Sequence, residues 1–65
     1  MFREGDEVRS ASGAHVGEVT HVNTSWVYPI RVLWDNGYIG YFTMSGQDQH
    51  EHNFNQDCEP AIVLL

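Results

Sequence analysis

His50-Glu51-His52, followed by Asp57 and Cys58, is the stretch of this 65-residue chain whose side chains could hold a metal ion or activate a thiol. Imidazole, carboxylate and thiolate all ligate zinc, but the spacing matches neither a Cys-x-x-Cys pair nor a His-x-x-x-His turn. The expectation is a solvated polar loop with no metal, and a metal-binding regulator built on His50 to Cys58 is an alternative reading. His15 and His21 could add ligands only through the fold. Cys58 beside histidines has the atoms of a thiol nucleophile and its base, yet Asp57 and Glu59 flank it and repel a thiolate. A small core cysteine is expected, with no catalysis and no cofactor.

Binding is better supported than catalysis. Three Phe, three Tyr and two Trp are more rings than one small interior can hold. Trp34, Phe42 and Val8 or Val19 are expected in the core, whereas Trp26, Tyr28, Tyr38 and Tyr41 are candidates for the surface. Near Asp35, Asp48 or Glu51 they would form a patch for an arginine- or lysine-bearing peptide, through cation–π and charge-assisted contacts. These seven residues are the candidate partner-binding set.

The charge balance points the same way. Nine Asp and Glu stand against three arginines (Arg3, Arg9 and Arg31) and no lysine, a net charge of −6 with the four histidines neutral. Nucleic-acid affinity comes from cationic side chains that displace counterions, and three arginines cannot make a basic stripe. A basic protein or peptide is the expected partner. The lone cysteine rules out an internal disulfide framework. Neither a secretory apolar segment nor a membrane-length apolar run is present, so a cytoplasmic protein is expected.

Short strands must position these residues. Val8 and Arg9 follow a Gly5-Asp6 turn, and Ser10 to Ala14 form a loop of small residues. His15 to Val22 read as a second strand whose valines break alternation, with a bulge expected at Gly17. Trp26 to Trp34 read as a third strand, with Pro29 near its start. Asp35-Asn36-Gly37 between β-forming runs is a strong hairpin signal, with Asn36 and Gly37 expected at positive φ and Tyr38 to about Met44 as the fourth strand. Residues 46–59 read as one long polar loop around at most one helical turn, anchored by Phe54. Pro60 to Leu65 read as a last strand against the first. The whole of 1–65 is then one all-β domain, a small, strongly bent five-stranded antiparallel barrel.

Phe2-Arg3-Glu4-Gly5-Asp6-Glu7-Val8, Gly17-Glu18-Val19 and Val32-Leu33-Trp34-Asp35-Asn36-Gly37 occur in the order found in SH3-like barrels of the KOW and Tudor type, which this chain resembles. The Trp34-Asp35-Asn36-Gly37 turn also resembles the small barrel of mind-bomb-type ubiquitin ligases. Tyr28-Pro29, Asp35-Asn36-Gly37, Phe42-Thr43 and Gly46 are similar to a pattern in short phage and mobile-element proteins. These resemblances imply an SH3-like barrel with one long polar loop. They further imply an interaction module of phage or mobile-element type that binds or inhibits a basic host protein, with a KOW-type nucleic-acid binder as the alternative.

Overall fold

A computed structural model describes residues 2–65. Five strands follow one another as β1 (Glu7–Ser10), β2 (Val16–Val22), β3 (Ile30–Trp34), β4 (Ile39–Phe42) and β5 (Ile62–Leu64), with a helix α1 (Gln49–Phe54) before the last. All pairings are antiparallel and the sheet order is β4-β3-β2-β1-β5, so β5 lies against β1 as its sequence predicts. The sheet curls into a half-barrel whose edges are β4 and β5. Just beyond those edges, Ala61 N donates to Gly46 O at 2.8 Å, tying the turn after β4 to the start of β5.

Alternation fills the concave side. Ile30 and Val32 of β3 are fully buried, and they join Phe2, Val8, Val19, Phe42 and Ile62 in one core. Burial of such a side chain stabilises the fold by about 2 kcal/mol each, which is why a chain this short can hold together. Trp34, in phase with Ile30 and Val32, is only half-buried, because it sits at the hairpin end of β3 and closes the core from the rim. Its ring meets Phe42 edge-on, with centroids 6.1 Å apart at 78°.

The bulge falls three residues later than Gly17. The β2–β3 register shifts between Val19 and His21, so Thr20 is the extra residue and its hydroxyl donates to Arg31 O at 3.4 Å. Gly17 instead answers to a close approach. A Cβ there would lie 2.8 Å from Leu33 O and 2.9 Å from the Trp34 ring. β3 also starts later than the sequence indicates, at Ile30. Pro29 has no N–H to give a ladder, and residues 23–29 turn on Asn23, whose Oδ1 accepts from Ser25 N at 3.1 Å and Ser25 Oγ at 2.6 Å.

The β3–β4 hairpin uses one positive φ rather than two. Gly37 has φ 88°, whereas no non-glycine among the described residues has a positive φ. Gly37 N donates to Trp34 O at 3.0 Å and Trp34 N to Tyr38 O at 2.8 Å, the pattern of a type I turn followed by a glycine bulge. Asn36 keeps a negative φ and turns its side chain to use, accepting from Tyr38 N at 3.1 Å.

The long segment after β4 contains α1, N-capped by Asp48. Phe54, the expected anchor, is 86% exposed. Gln47 does the anchoring: its Nε2 donates to Gln56 O at 3.0 Å and Cys58 O at 2.7 Å, folding the segment back on itself.

Candidate interaction cleft

Trp26 and Tyr28 come from the β2–β3 loop, Tyr41 from the outer face of β4 and Gln49 from the first turn of α1. Together they line an open cleft of 310 Å³. Local geometry explains each position. The Asn23 turn, closed by Trp26 N donating to Asn23 O at 3.0 Å, lifts the Trp26 ring beside His21, with ring centroids 6.4 Å apart. Phe42 occupies the core, so period-two alternation turns its neighbour Tyr41 outward. The pairing of Phe42 with Asp48 then brings the start of α1 against β4.

Tyr28 fixes the loop to the helix. Its hydroxyl donates to Asn53 Oδ1 at 2.7 Å and lies 3.1 Å from His52 Nδ1. A phenol has one proton, and here Asn53 takes it. His52 must therefore carry its proton on Nδ1 and donate it to a Tyr28 lone pair, which defines the tautomer. The two rings also meet edge-on, at 5.6 Å and 86°.

The fold gathers three of the four candidate aromatics and disperses the rest of the set. Tyr38 stands 73% exposed just past the hairpin turn, outside the cleft. Asp35 is at the same turn, with Oδ1 3.2 Å from His15 Nδ1. Asp48 spends its carboxylate on the helix start, where Oδ2 accepts from His50 N at 3.0 Å and Glu51 N at 3.3 Å. Glu51 faces a different depression, shared with Ser10, Ser12 and Glu59. No carboxylate lines the aromatic cleft.

Gln49 and Arg31 are not among the residues that the sequence marks for binding. The signal for Arg31 was available, since it lies between core residues Ile30 and Val32 and must point outward with Tyr41, its direct cross-strand partner. The signal for Gln49 was not, because nothing in the chain announces where α1 docks.

His50 and His52, two residues apart on α1, point in directions about 160° apart. One packs on Phe54 and the other on Tyr28. Among the described residues no group of three or more His, Cys, Asp or Glu is arranged to hold a metal ion. Cys58 is half-buried and its pKa is raised, first by loss of solvent and then by Glu51, with smaller contributions from Asp48 and Asp57. No helix of the described residues is long and apolar enough to cross a membrane.

No protein-family model, curated protein or solved structure matches this chain.

Proposed function

We propose that this protein is a small, non-catalytic interaction module that grips a partner protein through the cleft of Trp26, Tyr28 and Tyr41. The observation that carries this reading is the cleft itself. Three large rings, two from the β2–β3 loop and one from β4, are held around an open space, and Trp26 remains 42% exposed. Rigid aromatic side chains beside a groove are the usual anchors of protein interfaces. The strand order and the short helix before β5 are compatible with an SH3-like barrel. The net charge of −6, carried outside the cleft, supports a partner that is basic overall and steered in by long-range attraction. The likeness of Tyr28-Pro29, Asp35-Asn36-Gly37 and Phe42-Thr43 to short phage proteins supports a host protein as that partner.

Affinity capture from a bacterial lysate with wild type and Tyr41→Ala, each at low and physiological salt, tests this. A partner retained by wild type, lost with Tyr41→Ala and recovered in smaller yield at higher salt is the expected result. A partner held equally by both proteins would place the interface elsewhere.

A further inference from the structure

Three aromatic rings around a cleft invite a cationic guest, but the charge beside this cleft has the wrong sign for one. Arg31 pairs directly across the sheet with Tyr41 on one side and His21 on the other. Side chains at such positions emerge on the same face with Cβ atoms about 5 Å apart. Tyr41 is one wall of the cleft, and the His21 ring rests beside Trp26, a second wall. Arg31 therefore emerges on this face between Tyr41 and His21, beside the cleft.

Among the described residues no carboxylate is in ion-pair contact with it. Among the described residues the one close contact between an acidic and a basic side chain is His15 with Asp35. Neither direct cross-strand neighbour of Arg31 is acidic, and Glu18, its diagonal neighbour opposite Leu33, makes no ion pair with it. Arg3 and Arg9 are exposed, whereas Arg31 is half-buried. A half-buried guanidinium with no carboxylate partner, in a chain with nine carboxylates, has its five donors available to a ligand.

We propose that the cleft takes an acidic–apolar peptide segment of the partner, with an apolar side chain between Trp26 and Tyr41 and the adjacent carboxylate on Arg31. This rests on the reading of the cleft as the docking site and adds the chemistry of its occupant. The Gln49 amide, which can both donate and accept, is placed to pair with the peptide backbone between the two side chains. The overall negative charge does not forbid an acidic anchor. At physiological ionic strength charges are screened beyond about 8 Å, so Arg31 acts locally while the distant carboxylates do not. A charge-assisted guanidinium–carboxylate contact at a partly exposed site corresponds to about a fivefold gain in affinity.

Three capped tetrapeptides test this, identical except that a phenylalanine is followed by aspartate, asparagine or lysine. Titration at physiological salt, followed by the NMR shift of the Trp26 indole N–H, should rank aspartate about fivefold tighter than asparagine, with lysine weakest. In Arg31→Gln, aspartate and asparagine peptides should bind alike, at the affinity the wild type shows for asparagine. Arg31→Lys should restore part of the preference. Equal binding of aspartate and asparagine peptides by the wild type, or tighter binding of the lysine peptide, would overturn the inference while leaving the cleft as a docking site. If none of the three moves the Trp26 resonance, the docking reading falls with it.

Discussion

The hydroxyl of Tyr28 ends on α1, donating to Asn53 Oδ1 at 2.7 Å, so a loop residue 25 positions earlier in the chain holds the helix in place. One wall of the cleft is thereby also its fastening. Tyr28→Phe removes that bond and leaves the Nδ1–H of His52 without its acceptor. The expected loss is about 1 kcal/mol, read as a melting midpoint lower by about 5 °C. The ring itself remains, so weaker binding by Tyr28→Phe would report the set of the helix rather than contact area. An unchanged midpoint would mean that the loop and helix are held together by other contacts.

Asp48 is expected to matter through folding before it matters through charge. Its carboxylate accepts from two N–H groups that α1 cannot satisfy internally. Asp48→Ala should cost about 1 kcal/mol, and Asp48→Asn, which keeps an oxygen acceptor, should cost less. Thermal melts of the two variants check this. Equal losses would assign the effect to the charge rather than to the cap.

Gly13 and Gly37 should be equally intolerant of valine. From sequence only Gly37 had a special role, yet Gly13 adopts φ 80° and closes its own turn, with its N–H 2.8 Å from Ser10 O. Neither position is crowded, so the penalty comes from the backbone alone. Gly17→Ala, by contrast, places a Cβ 2.8 Å from a backbone oxygen and should shift the β2–β3 ladder. The expected order of melting midpoints puts both valine variants close together. A much milder effect at Gly13 would contradict the turn geometry.

Cys58 should alkylate slowly. Loss of solvent and the Glu51 carboxylate both raise its pKa, so at about pH 8 less of it is thiolate than of free cysteine. Iodoacetamide labelling should be slower than for a free thiol and should accelerate in Glu51→Gln. A rate equal to free cysteine, unaffected by that substitution, would remove the assigned cause.

Nucleic acid should not bind appreciably at physiological salt, since nine carboxylates oppose three arginines and only Arg31 adjoins the aromatic cleft. Fluorescence anisotropy with labelled duplex and single-stranded oligonucleotides checks this. Micromolar, salt-sensitive binding would favour the KOW-type alternative.

What the sequence determined by itself was local. The alternation of Ile30, Val32 and Trp34, the Asp35-Asn36-Gly37 turn and the apolar Ile62 are short-range consequences of backbone geometry, and they specify strands, a hairpin and a buried face. Composition likewise marked Trp26, Tyr28, Tyr38 and Tyr41 as surplus to one small core, without saying which of them would meet. Tertiary structure decided the rest. Whether Phe54 or Gln47 anchors the long segment depends on which groups meet after folding. In the event two backbone carbonyls were within reach of Gln47, while Phe54 found no apolar surface to cover. The same holds for charge: the count is a property of the chain, but the register that sets Arg31 between Tyr41 and His21, and leaves Asp35, Asp48 and Glu51 elsewhere, exists only once β2, β3 and β4 are paired. A one-residue slip would turn Arg31 to the core side, so burial of Ile30 and Val32 is what fixes the sign of the field beside the cleft.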